Sequence, residues 1–269
     1  MDELLKRLPL WKWILLFVGS FFLALIGYGL LQGLFDMVDM AGVPILLVIP
    51  PVIYLGLYAL FVRWFEKHWP TDMPLRRLVS HTLLGLLVGF VFMVMVVGAI
   101  TAMGCAAEFW DSFEWSEQFW AMMLFLMVAV GEEVMSRGVI FRLIDQRWGT
   151  WVALLVSALI FGLGHLPNDN SSWWASFAIA IEAGLLLGAA YKWSGNLWVP
   201  IGIHWAWNYT QGNVFGLAVS GNELGGHILT TAVDGPDIIT GGAFGPEASI
   251  ITVVLGIICT VAFLGNCRR

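Results

Sequence analysis

Charge is scarce in this chain. Its 269 residues carry 13 Lys and Arg against 19 Asp and Glu, 12% charged in all, with 59% hydrophobic residues and a net charge of −6. A soluble domain is typically about 25% charged and about 45–50% apolar. With half the usual charge, a protein of this size cannot solvate its own surface. That excludes a water-soluble enzyme, a disordered chain and a nucleic-acid binder with a basic face. Cysteine is scarce too. Cys105, Cys259 and Cys267 lie far apart, form no CxxC pair and leave an odd count. Neither a disulfide framework nor a zinc ribbon is available, and the three read as small apolar helix residues. The H-E-x-x-H and G-x-S-x-G motifs are absent, which removes the zincin and serine-elbow chemistries. No internal repeat, low-complexity tract or linker divides the chain, so 1–269 reads as a single integral membrane domain.

What the sequence has in abundance is long apolar runs. Eight stand out, near 8–31, 43–65, 78–103, 118–141, 150–166, 173–191, 197–219 and 249–264. A crossing takes about 20 apolar residues, so the expected fold is all-α, a polytopic bundle of about eight transmembrane helices. The first run follows Lys6 and Arg7. It exceeds the roughly 7–15 residues of a signal-peptide core and no A-x-A-like site follows it, so it reads as an anchor. The basic residues fall in or beside alternate loops: Lys6, Arg7 and Lys12; Arg63 through Arg77; Arg137, Arg142 and Arg147; Lys192; Arg268 and Arg269. The other loops carry acids such as Asp36, Glu108, Asp111, Asp169, Glu223 and Glu247. The positive-inside rule then places both termini in the cytoplasm. Apart from Trp205 and Trp207, the 15 tryptophans sit near the expected membrane edges. Pro50-Pro51 is expected to kink or split the second helix, whereas Pro200 falls in a first turn, where proline is tolerated. Segments 71–81 and 108–118 are expected to lie along the inner and outer interfaces. The glycine-rich loop 220–248 is long enough for a lid, with a plain flexible loop as the alternative.

Ionisable residues inside apolar helices are costly, by about 2.5–3.5 kcal/mol at mid-bilayer, so each one needs a reason. The fourth run holds Glu132, Glu133 and Arg137, the fifth ends at His165, the sixth holds Glu182, and the seventh holds His204 and Asn208. Glu133 and Arg137 are i,i+4 and can pair, as can His204 and Asn208 share a face. Glu132 and Glu133 point about 100° apart on an α-helix; one should act while the other is paired. At about 1.5 Å per residue, Glu132, His165, His204 and Asn208 lie roughly 10 to 22 Å above the inner edge, all in the middle band. Taken singly, each has a bland reading: a structural ion pair, helix-to-helix hydrogen bonds, and packing for Trp205 and Trp207. Three helices contributing a carboxylate, two imidazoles and an amide at comparable depth argue for a site. A carboxylate in apolar surroundings gains basicity and can take a proton from water. Imidazole and amide groups can orient that water and stabilise an oxyanion. The same Glu132, His165 and His204 are also a ligand set for a catalytic zinc. Sequence alone leaves both chemistries open.

Glu132-Glu133-x-x-x-Arg137, Phe161-x-x-x-His165 and His204-x-x-x-Asn208 resemble, in order and separation, the three motifs of the CPBP family, the CAAX-protease and bacteriocin-processing (Abi) intramembrane proteases that include the type II CAAX prenyl endopeptidases. The motif-bearing core spans 118–211. The resemblance implies an eight-helix intramembrane endopeptidase of a bacterial inner membrane, acting on a membrane-associated peptide or protein. It makes Glu132 the water-activating base, Glu133 and Arg137 its supporting pair, His165 a positioner of water or of Glu132, and His204 and Asn208 the oxyanion stabilisers. The family carries a metalloprotease name, and a metal-independent glutamate mechanism has also been proposed for it. Glu182 matches no motif. Two rival readings remain: a non-catalytic immunity or scaffold protein that binds a peptide or toxin, and a transporter using Glu182 and the histidines as a proton relay. The latter calls for inverted repeats, and none is found.

Overall fold

The computed structural model describes residues 9–40 and 44–267. Lys6, Arg7, Arg268 and Arg269, which enter the orientation argument, lie outside the described residues. The chain order is α1 (Leu10–Met40), a 3₁₀ turn (Pro44–Val48), α2 (Ile49–Phe65), a 3₁₀ turn (Leu75–Arg77), α3 (Leu78–Ala102), β1 (Ala106–Trp110), α4 (Trp115–Glu133), α5 (Arg142–Trp148), α6 (Thr150–Gly164), α7 (Trp173–Ile179), α8 (Leu186–Ser194), α9 (Trp198–Tyr209), β2 (Leu229–Val233), α10 (Asp237–Thr240) and α11 (Ile250–Gly265). All eight apolar runs contain helix. Among the described residues five helices are long and apolar enough to cross a membrane: Leu10–Met37, Ile45–Trp64, Leu75–Ala102, Trp115–Trp148 and Trp173–Ser194. Thr150–Gly164 and Ile250–Gly265 are apolar but shorter. The protein is a helical integral membrane protein. Many large apolar side chains are exposed along the helices, such as Leu15 and Leu30 of α1, Leu83 and Leu87 of α3 and Val261 of α11, as a lipid-facing surface requires and as a soluble monomer avoids.

Pro50-Pro51 neither kinks nor splits a continuous α-helix. The α-helix starts at Ile49, so both prolines fall in its first turn, where their missing N–H groups have no helical partner to lose. The residues before them take the tighter 3₁₀ form. The segment 220–248 contains a strand and short helical turns. Its strand β2 pairs antiparallel with β1, Ala106 opposite Val233 and Trp110 opposite Leu229, so 106–110 forms a strand in this two-stranded ribbon. Toward its end Pro246, Glu247 and Ala248 are buried. Ser249 caps α11, its hydroxyl accepting from the Ile251 N–H at 3.1 Å.

The basic and acidic loops gather at opposite ends. At the basic end Arg142 makes a bidentate pair with Glu66 at 2.6 and 2.5 Å, and Lys192 meets Asp145 at 2.8 Å. The Tyr58 and Tyr191 hydroxyls both donate to buried Asp72, at 2.8 and 3.0 Å. At the other end Thr101 bonds Glu108, and Thr230 donates to Asp111 at 2.9 Å.

One crossing sets the position of the site. Helix α9 lies almost in backbone contact with α3. A Cβ on Gly85 would come within 2.3 Å of the Val199 carbonyl oxygen, one on Gly89 within 2.2 Å of that of Ile203, and one on Gly202 within 2.5 Å of that of Thr82. Small residues at such crossings let helices approach where lipid supplies no hydrophobic drive. The crossing holds α9, with His204 and Asn208, against the interior, and nearly every side chain of α9 is buried.

Candidate active site

At the end of α4 the backbone leaves α geometry. Val134–Phe141 forms a wide π segment directly after Glu132 and Glu133. A second π segment, Ala180–Leu185, surrounds Glu182 between α7 and α8, and a third, Thr210–Val214, follows Asn208. Such widening is frequent at functional sites because it turns side chains off the α register. A uniform α periodicity conceals it.

Arg137 lies in the first π segment and is only 1% exposed. Its guanidinium donates to Glu133 Oε1 at 2.8 Å and to the carbonyls of Ala183 and Gly184 at 3.2 and 3.1 Å. It also lies 4.6 Å from the centre of the Phe161 ring. One buried cation therefore ties the first π segment to the second and to α6. It belongs to the interior rather than to the border of a basic loop.

Both carboxylates of the pair touch one imidazole. His204 places Nδ1 3.0 Å from Glu133 Oε1 and Nε2 3.9 Å from Glu132 Oε2. Glu132 and Glu133 do point different ways along the helix, but they meet opposite nitrogens of the same ring. His165 is the residue that ends α6. Its Nδ1 lies 2.8 Å from the Phe161 carbonyl, satisfying an oxygen the helix terminus leaves open. Its Nε2 lies 3.8 Å from the same Glu132 Oε2. The tautomers follow. Glu133, committed to Arg137, and the Phe161 carbonyl only accept, so both Nδ1 atoms carry hydrogen. In neutral rings both Nε2 atoms are then acceptors, facing a carboxylate oxygen that is buried and has no hydrogen-bond partner among the described residues. Three acceptors converge on one point.

Asn208, one turn beyond His204, is buried and lines the same space. That space is a cavity of about 740 Å³, with Glu132, His165 and His204 on one wall and apolar side chains such as Phe21, Leu25, Phe125 and Leu163 on the others. Sequence reasoning missed Tyr28 of α1, whose hydroxyl hydrogen-bonds Glu132 and which also lines the cavity. Gly131 makes room for its ring, since a Cβ there would come within 2.3 Å. Tyrosine is ordinary in membrane helices, and only the glycine beside Glu132 hinted at a close neighbour. Glu182 is fully buried, and neither of its oxygens has a hydrogen-bond partner among the described residues. It lies behind the site in a separate space of about 20 Å³, with His165, His204, Asn208 and Glu247. Glu247 is held there by Ser220, N–H at 2.6 Å and Oγ at 3.0 Å, and by Gln211 Nε2 at 3.0 Å. The loop thus closes the back of the site. Trp207 packs on Phe92 with ring centres 4.5 Å apart, and Trp205 donates to the Met122 carbonyl at 2.8 Å; both act as packing residues.

Glu132, His165 and His204 carry the donor types of a catalytic zinc site, at a wider spacing than bound zinc would impose. Zinc bonds of about 2.0–2.1 Å at tetrahedral angles hold ligand atoms roughly 3.4 Å apart, and the gaps here are 3.8 and 3.9 Å. Among the described residues no group of three His, Cys, Asp or Glu is disposed to hold a metal ion. No step below uses one.

Residues 114–210 match the family model described as type II CAAX prenyl endopeptidase Rce1-like. This stretch is similar to the Rce1-like family. It contains Glu132, Glu133, Arg137, His165, His204 and Asn208, while Tyr28 and Glu247 lie outside it. The chain is also similar to the protein of Bacillus subtilis (strain 168) named "Uncharacterized protein YpbD", at 35% identity over 81 residues, 30% of this chain and 38% of that protein. The match spans well under half of that relative. No solved structure matches the chain. The family that this stretch resembles is, by its description, one of endopeptidases.

Proposed function

We propose that the protein is an intramembrane endopeptidase that hydrolyses a peptide bond of a membrane-associated peptide or protein, with Glu132 as the base. The observation that carries this reading is the convergence of Glu132 Oε2 with the Nε2 atoms of His165 and His204, at 3.8 and 3.9 Å, on the wall of a largely apolar cavity. Three acceptors facing one another suit a water molecule, which has two hydrogens to give. Glu132 takes one proton as the water oxygen attacks the carbonyl carbon, forming the new C–O bond. The Asn208 amide donates to the developing oxyanion. His204, with its Nδ1–H spent on Glu133 and its Nε2 an acceptor, orients the attacking water alongside His165. The C–N bond then breaks, and Glu132 passes its proton to the leaving nitrogen. Glu133 and Arg137 hold His204 in place. The apolar walls favour a hydrophobic or lipid-modified segment over a soluble peptide, in line with the prenyl-protein chemistry in the family's name. Eight crossings with both termini in the cytoplasm of a bacterial inner membrane complete the reading, supported by the separation of basic and acidic loops.

The test compares protein termini in cells carrying the wild-type protein or Glu132→Gln at matched expression. New termini produced only by the wild type are the expected result. Cleavage retained by Glu132→Gln overturns the assignment of the base. Identical termini together with a phenotype kept by Glu132→Gln would favour a binding or immunity role.

A further inference from the structure

A second cavity, of about 860 Å³, opens at the basic end of the molecule between the start of α3, the end of α8 and the end of α11. Its rim carries Arg77, His81 and Lys192, and its floor carries Val88, Cys259 and Phe263. None of its lining residues is an acid. The rim is a set of donors. Asn196, wholly buried, gives one amide hydrogen to the Ser194 carbonyl and the other to His81 Nδ1, both at 2.8 Å, while its Oδ1 accepts from the Trp198 N–H at 3.1 Å. The amide orientation is fixed by these three bonds, so His81 Nδ1 is the acceptor and Nε2 carries the hydrogen, free for a ligand. Arg77 spends one N–H on the Ser194 carbonyl at 3.4 Å and Lys192 one on Asp145 at 2.8 Å, which leaves each with further donors.

The floor distinguishes possible occupants. From Arg77 to Val88 the groove descends eleven residues along α3, about 16 Å, and along α11 it reaches back from Asn266 to Cys259. On the same helix Leu83 and Leu87 are 59% and 60% exposed, as on a lipid-facing side. A free phosphate would use only the rim. A phospholipid would use both, its headgroup at the donors and the start of an acyl chain on the apolar floor. Basic pockets between membrane helices are suited to such headgroups. We propose that this groove is a binding site for one anionic phospholipid of the leaflet at the basic end.

Native mass spectrometry of the full chain in detergent, titrated with phosphatidylglycerol or with phosphatidylcholine of the same acyl chains, tests this. The wild type is expected to keep phosphatidylglycerol with roughly tenfold preference. Arg77→Ala with His81→Leu should reduce that to the phosphatidylcholine level. Arg63→Ala with Arg76→Ala, charges at the same end that do not line the groove, should not. Ala262→Trp, which obstructs the floor and leaves the donors in place, should also abolish the preference and serves if the double variant fails to fold. Equal retention of the two lipids by the wild type overturns the proposal. So does full phosphatidylglycerol retention in Ala262→Trp, or equal competition by millimolar inorganic phosphate.

Discussion

The residue with most at stake is Arg137. It and Glu133 are 1% and 0% exposed, and the guanidinium holds three partners besides the Phe161 ring. Removing one member of a buried pair leaves the other charged and unsolvated, at a cost of about 3–5 kcal/mol. Arg137→Ala is therefore expected to lower the yield of folded protein and its melting temperature in detergent sharply, together with activity. Glu132→Gln, which removes no such partner, should leave both folding measures near wild type. A well-folded, stable Arg137→Ala protein would show that the pair acts in chemistry alone. Tyr28 gives a finer test. Its hydroxyl contacts Glu132, and a hydrogen bond to a charged group contributes about 1.5–3 kcal/mol. Tyr28→Phe is expected to lower kcat/KM by roughly tenfold or more while folding normally. Activity unchanged in Tyr28→Phe would remove α1 from the site.

At the scale of elements, the close crossing of α3 and α9 carries the site. A Cβ on Gly89 meets the Ile203 carbonyl at 2.2 Å, and Ile203 precedes His204. Gly89→Ala must push the helices apart, at the roughly 1–3 kcal/mol typical of overpacking, and displace His204 relative to Glu132. Gly98, on the same helix, has nothing within 4 Å of an added Cβ. Gly98→Ala should keep both activity and thermal stability, and equal losses in the two variants would refute the crossing. The same level shows what the sequence can reveal. Glu132, Glu133, Arg137, His165, His204 and Asn208 were legible because polar groups stand out in apolar helices. Their gathering at one depth band was legible as well, but which atoms face one another was not. The depth reckoning spread them over some 12 Å, because it assumed level helix starts and unbroken α geometry. His165 ends its helix as the sequence indicates, but π segments follow both Glu133 and Asn208. The small-residue crossing also left no mark in a hydropathy profile, since glycine in an apolar helix reads as part of the span.

Across the whole molecule, charge is divided between two ends. The ribbon of β1 and β2 joins the acidic loops at one end, and Glu66, Asp72, Asp145, Arg142 and Lys192 join the basic loops at the other. Basic loops stay on the cytoplasmic side because translocating them is unfavourable, so the ribbon should face outward. The site then lies beneath the folded 220–248 segment, and Glu247 closes it from the outer side. With Cys105, Cys259 and Cys267 changed to serine, single cysteines can be placed at Thr230 in β2 and at Arg76, both exposed or partly so. A membrane-impermeant maleimide applied to intact cells is expected to label Thr230→Cys and to leave Arg76→Cys untouched until the membrane is opened. The reverse pattern would invert the molecule and put the site's closed face toward the cytoplasm. Labelling of both positions from outside would mean that the two ends do not lie on opposite sides, and the charge separation would then have a cause other than membrane orientation.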